Sequence, residues 1–183
     1  MSALNSIFIL AFAYLAVFAE ASFGPLRRLL GTQVDLLPGL MIYASLSAGF
    51  TTVTLLAVLG GLCFDSLSAN PLGVSILPLF AIGFMVRQFH HLILRDQTYA
   101  QMVLGFAASG ATPLVVLVLI YSTGGEPLIG PGFIGQWFIM TLLGGLFVPG
   151  YFKLFDAVQR TLGYERVVES SFRADREIAR GRK

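Results

Sequence analysis

The fold is decided around residues 60–73, which have the sequence GGLCFDSLSANPLG. This stretch places a carboxylate and several helix breakers inside an otherwise apolar sequence. An aspartate flanked by apolar runs is costly to hold in lipid, so Asp65 must lie at an interface, in a cavity or against a partner. Because glycine and proline mark turns, the stretch predicts an interrupted, acid-bearing hairpin between two apolar helices.

The composition excludes a water-soluble globular domain. The chain has 183 residues, of which 56% are hydrophobic and only 12% are charged. Soluble domains carry about twice that charged fraction. We therefore expect an all-α, polytopic membrane protein.

The apolar runs predict six membrane-spanning helices. A helix needs about 20 mostly apolar residues to cross a bilayer, and fewer where it stays buried in protein. The third run is too short to cross a full bilayer alone, so we expect a short or re-entrant helix there. The predicted spans are Leu4–Phe23, Leu36–Ala48, Val53–Phe64, Leu72–Phe89, Met102–Tyr121 and Phe133–Phe152.

The distribution of basic residues predicts two regions and an orientation. Residues 1–152 form the transmembrane domain, and residues 153–183 form a cytoplasmic, amphipathic, basic tail that carries eight of the twelve Lys and Arg. Cytoplasmic loops are enriched in Lys and Arg. A cytoplasmic C-terminus places ten of the twelve on that side, with Arg27 and Arg28 as the exceptions.

Two interpretations of Asp65 are open and compatible. The carboxylate can face a partner or ligand, or it can cap the free backbone N–H groups of the next turn. The surrounding residues Gly60, Gly61, Asn70, Pro71 and Gly73 then form a structural or partner-binding hairpin, since small residues let helices approach closely in lipid.

The tail has two interpretations as well. Its arginines, interleaved with acidic residues, are typical of a helix attracted to anionic lipid, or they form a docking segment for a cytoplasmic partner. The candidate contact residues are Arg166, Arg173, Arg176 and Arg180.

No pattern in the chain points to catalysis. There is no phosphate-binding loop, no zinc-binding HExxH and no nucleophile elbow. The single cysteine, Cys63, supplies no thiol metal site. We expect neither a cofactor nor a metal, no nucleic-acid binding and no enzymatic activity.

Residues 61–73 resemble a known family. The pattern of Gly61, Asp65, Ser68 and Leu72-Gly73 resembles the G-x-x-x-D-x-x-S-x-x-x-L-G hairpin of the bacterial rod shape-determining protein MreD family. The sequence Asp35-Leu36-Leu37-Pro38 is similar to that family's entry into its second span. The resemblance covers residues 1–160, and the arginine-rich end lies outside it.

The resemblance implies a non-catalytic membrane scaffold of the cell-elongation complex in the bacterial cytoplasmic (inner) membrane. Its members are thought to bind the single membrane helix of MreC and to connect MreB filaments with peptidoglycan synthesis by RodA and a class B penicillin-binding protein. The implied fold is similar to the S components of energy-coupling-factor transporters. That similarity supplies the alternative function, a substrate-binding subunit of a vitamin-type transporter.

Overall fold

The computed structural model describes residues 3–22, 35–68, 70–90, 97–125, 130 and 132–161. In these residues the chain is all-helical, as predicted, and forms six helices. We number them in chain order: α1 (Ala3–Ser22), α2 (Leu37–Ser47), α3 (Phe50–Leu67), α4 (Ile76–Gln88), α5 (Thr98–Ser122) and α6 (Phe133–Thr161).

Four of the six helices are long and apolar enough to cross a membrane, which confirms the transmembrane character of the chain. They comprise Leu4–Ser22 of α1 and the whole of α3, α5 and α6. The helices α2 and α4 are apolar but shorter. Six complete spans and the S-component-like arrangement therefore remain predictions.

The prediction of a short third span is wrong. The helix α3 runs over 18 residues, from Phe50 to Leu67. The glycine pair Gly60-Gly61 does not interrupt it, because both residues keep helical dihedral angles. The chain breaks instead at Ala48 and Gly49, and again after Leu67, where Ser68 is extended.

The last two helices both continue through an internal proline. The helix α6 continues through Pro149 to Thr161, and α5 likewise continues through Pro113. Membrane helices tolerate proline where neighbouring groups compensate the lost backbone hydrogen bond. The predicted boundary between residues 152 and 153 falls inside α6, so the first nine residues of the predicted tail continue the last helix.

The core is built around α2. Ten of its eleven residues are buried, and it packs against α1, α4, α5 and α6. The ring of Tyr43 is fully buried; it stacks on Phe155 at 4.4 Å between ring centroids and meets the edge of Phe152 at 5.0 Å. Such aromatic pairs stabilise a fold beyond the area that they bury.

Close backbone contact joins α5 to α6. A Cβ atom added to Gly105 would lie 2.8 Å from the Cα atom of Gly145, and one added to Gly144 would overlap the Ser109 side chain. The indole of Trp137 donates a hydrogen bond to the Gly110 carbonyl at 2.8 Å. Glycine at these positions lets the two backbones meet, as is typical of helix pairs in lipid.

Candidate functional site

The carboxylate of Asp65 lies inside the protein and joins the end of α3 to the start of α4. Its Oδ2 atom accepts hydrogen bonds from the backbone N–H groups of Gly73 at 2.8 Å and Ser75 at 3.1 Å. Its Oδ1 atom accepts one from the Ser75 hydroxyl at 2.5 Å. Asp65 is only 2% exposed. Of the two interpretations of Asp65, the structure supports the cap; we call this group of three hydrogen bonds the Asp65 cap.

Two glycines shape the hairpin around the cap. Gly73 adopts φ +91°, a conformation that side chains with a Cβ atom rarely take. An added Cβ atom at Gly61 would lie 3.0 Å from the backbone nitrogen of Ile76. The residue pattern Gly61, Asp65 and Gly73 thus corresponds to one structural unit that closes α3 onto α4.

The remaining predicted hairpin residues lie around this unit. Gly60 is buried and faces the side chain of Leu37 on α2. The N–H group of Asn70 donates to the Ser68 hydroxyl at 3.3 Å, and the carbonyl of the exposed Pro71 accepts from Val74 at 3.3 Å. These contacts form the turn and do not bring Asn70 or Pro71 to the carboxylate.

The tail residues with a predicted lipid or partner contact lie outside the described residues. The description ends at Thr161. Arg166, Arg173, Arg176 and Arg180 follow it, and their role stays a prediction.

A second cluster of polar side chains, at the start of α2, was missed by the sequence analysis. The Oε1 atom of Glu20, on α1, accepts a hydrogen bond from the Leu36 N–H at 2.6 Å. Asp35 accepts one from the Leu37 N–H at 3.0 Å. The Tyr151 hydroxyl, on α6, donates to the Leu36 carbonyl at 3.3 Å. Glu20 and Asp35 thus satisfy two of the backbone N–H groups that the first turn of a helix leaves free. The Tyr151 hydroxyl adds a second hydrogen bond to a carbonyl that already accepts from the Leu40 N–H.

Burial of these carboxylates affects protonation at Asp35. Desolvation raises the pKa of the Asp35 carboxyl to about 7; the hydrogen bond from Leu37 opposes that change, and the nearby charge of Asp65 reinforces it. Half-buried Asp35 therefore titrates near neutral pH, far above the range of an exposed aspartate. The only sequence signal was its position before Leu36-Leu37-Pro38.

The other end of α2 is capped by Arg87, on α4. Its guanidinium donates a hydrogen bond to the carbonyl of Ala48, which is the residue that follows the last turn of α2. A cation at a helix C-terminus compensates the negative end of the helix dipole. Both ends of the central helix thus form hydrogen bonds with side chains from neighbouring helices, Glu20 at its start and Arg87 at its end.

The described part of the chain shows an arrangement suited to structure. Within it, no group of three His, Cys, Asp or Glu side chains comes together to hold a metal ion. The side chain of Asp65 accepts three hydrogen bonds from donors within the protein. What the arrangement can do is hold α2, α3 and α4 at defined angles.

Comparison of the chain with protein-family models, with curated proteins and with solved structures finds no match. The resemblance to the MreD family therefore rests on the residues quoted above.

Proposed function

We propose that this protein is a non-catalytic membrane scaffold of the bacterial cell-elongation complex, similar in role to MreD. The observation that carries the proposal is the hairpin. The residues that resemble the family pattern, Gly61, Asp65 and Gly73, meet in one hydrogen-bonded and close-packed unit. The resemblance thus falls on residues that shape the turn between α3 and α4.

The chemistry of the hairpin favours a scaffold over catalysis. A catalytic carboxylate must reach a substrate or exchange a proton with it. The carboxylate of Asp65 is instead buried and bonded to Gly73 and Ser75. Its contribution is a fixed angle between α3 and α4, which presents a rigid outer surface.

The surface that we assign to the partner helix is the outer stripe of α3. It consists of four exposed apolar residues at the spacing of one helix face: Leu55, Val58, Leu59 and Leu62. A single membrane-spanning helix, such as that of MreC, can lie along this stripe. Association in lipid rests on packing and interhelical hydrogen bonds, because lipid already solvates apolar side chains.

The proposal includes a location and further partners. We place the protein in the bacterial cytoplasmic membrane with its C-terminus in the cytoplasm, because basic residues favour that side. Through MreC, it would connect MreB filaments with RodA and a class B penicillin-binding protein.

Co-purification with an MreC-like single-span protein tests the proposal. Leu62→Trp, on the outer stripe of α3, should reduce the recovered partner at least about tenfold, equivalent to about 1.4 kcal/mol of binding free energy. Leu114→Trp is the matched control: the two leucines are 39% and 42% exposed, but Leu114 lies on α5. The control should retain the partner, and both variants must unfold at the wild-type temperature.

Two outcomes would contradict the proposal. If the wild-type chain recovers no single-span partner, the scaffold function is wrong. If it recovers one and both tryptophan variants retain it, the assigned surface is wrong. An increase in melting temperature with a vitamin-type ligand, in the absence of a partner, would favour the transporter-subunit alternative.

A further inference from the structure

The helix α3 contains a π-helical turn at Leu56–Gly60, between α-helical segments at Phe50–Leu55 and Gly61–Leu67. A π turn inside an α-helix holds one more residue than the α-helical turn that it replaces, and it is rare. Because π turns are rare, its presence in a helix of 18 residues needs a physical explanation.

The reason lies in the spacing of the buried residues. On both sides of the π turn, buried residues recur at every fourth position and form two parallel rows. One row is Thr52, Leu56, Gly60 and Phe64; the other is Val53, Ala57, Gly61 and Asp65.

A regular α-helix cannot keep such rows on one face. Four residues turn an α-helix by about 400°, so three such steps rotate the row by about 120°. One additional residue corresponds to about 100°. The π turn therefore absorbs most of the rotation and returns Asp65 to the face that carries Val53.

Contacts with α4 show that the second row does stay on one face. Near the beginning of α3, Val53 contacts Gly83, where an added Cβ atom would lie 2.6 Å from Cγ1 of the valine. Beyond the π turn, Gly61 lies against Ile76, and the Asp65 carboxylate bonds to Ser75. The first row points elsewhere: Thr52 bonds to Ser6 on α1 at 2.8 Å.

We propose that the π turn at Leu56–Gly60 corrects the rotation of the buried rows, and that this correction directs the Asp65 carboxylate toward the start of α4. Without the π turn, a continuous α-helix of the same sequence would direct Asp65 about 100° away from Ser75. A buried carboxylate would then lack its donors and face lipid, which is costly. This inference concerns the chain alone and does not depend on the proposed partner.

If the π turn has this role, α3 should tolerate the deletion of one residue within the turn, unlike an ordinary α-helical segment. Deletion of one exposed residue within the turn, Leu59 (48% exposed), removes the additional residue. The second row then has spacings of four, three and four positions, which is one face of a regular α-helix. The deletion should convert the π turn into an α turn and leave both halves of α3 in place.

Thermal unfolding of the full-length chain in detergent tests the proposal. Deletion of Leu59 should change the melting temperature by no more than about 4 °C. Deletion of Val103, which is similarly exposed at 45% but lies in α5, is the matched control. No π turn in α5 can absorb that deletion, so it should lower the melting temperature by at least about 8 °C or prevent folding.

Asp65→Ala provides the second measurement. Because the Asp65 cap persists after deletion of Leu59, Asp65→Ala should lower the melting temperature equally, within about 2 °C, in the wild-type and deletion backgrounds. The proposal is overturned if deletion of Leu59 is as damaging as deletion of Val103. It is also overturned if Asp65→Ala has no effect in the deletion background.

Discussion

The Asp65 carboxylate and the Ser75 hydroxyl lie 2.5 Å apart, across a hairpin turn that separates them by ten positions. Ser75 precedes the first residue of α4, and its own N–H group bonds to the same carboxylate. One side chain therefore satisfies three donors at the point where the chain re-enters a helix. The cap explains how an acidic residue is accommodated in an apolar hairpin.

Removal of the cap should destabilise the protein. Asp65→Ala leaves the N–H groups of Gly73 and Ser75 without an acceptor, so we expect a loss of about 1–3 kcal/mol. Asp65→Asn should lose less, because the amide oxygen can still accept from both N–H groups and the amide NH2 can donate to the Ser75 oxygen. Equilibrium unfolding in detergent measures both variants; equal losses for Ala and Asn would contradict the assigned hydrogen bonds.

The positive φ angle of Gly73 should make that position sensitive to substitution. Gly73→Ala should cost about 1–2 kcal/mol, because a Cβ atom is disfavoured at positive φ. Gly49→Ala is the control: Gly49 has φ −75°, and an added Cβ atom there has no neighbour within 4 Å. Melting temperatures of the two variants provide the comparison, and an unaffected Gly73→Ala variant would argue against the described turn.

The contact between α5 and α6 should not tolerate one additional methyl group. Gly105→Ala places a Cβ atom 2.8 Å from the Gly145 backbone, and such overpacking costs about 1–3 kcal/mol. In Gly135→Ala, on α6, the new atom meets nothing within 4 Å, and the higher helix propensity of alanine should stabilise by about 0.5–1 kcal/mol. Opposite signs of the two changes in unfolding free energy are expected, and equal signs would contradict this packing.

The stability of the protein should depend on pH through Asp35. Its pKa is about 7 in the folded state and about 3.9 in an unfolded chain. Between these values the folded state binds more protons at Asp35, so the contribution of Asp35 to stability falls as pH rises from about 4 to about 7 and then levels off.

Asp35→Asn removes this contribution, because an amide oxygen can still accept from the Leu37 N–H but the amide does not titrate. The unfolding free energy of Asp35→Asn minus that of the wild type should increase by about 3–4 kcal/mol between pH 4 and pH 8. Unfolding free energies of both proteins, measured across that range, test whether the difference rises with pH. Glu20, Asp65 and Tyr151, the neighbours of Asp35, are left unchanged. A gain that does not change with pH would show that Asp35 does not titrate in this range.

Local features of the sequence predicted part of the site correctly. The breakers around Asp65 indicated a hairpin, and a cap was one of the two interpretations of its carboxylate, because aspartate beside a helix break commonly accepts backbone N–H groups. The prediction of a short third helix failed at both ends of the apolar run. Thr51 and Thr52 before it and Asp65 after it are polar, but all three lie inside α3.

Long-range polar contacts could not have been predicted from the sequence. Glu20 and Leu36 are 16 positions apart, and Tyr151 contacts Leu36 from 115 positions away. No periodicity encodes such pairs, because they depend on how α1, α2 and α6 cross. The π turn was also missed, since its signal is a buried row at every fourth position, which becomes visible only when burial is known.

The sequence by itself determined that this is an all-helical membrane protein with a hairpin at Asp65. Apolar length and charge depletion are properties of each segment alone, and lipid selects for them directly. Only the tertiary structure decided that the Asp65 carboxylate points into the protein, that α2 is the central helix and that α3 contains a π turn. Those features depend on which helix faces meet, and in a uniformly apolar sequence almost every face is equally compatible with lipid.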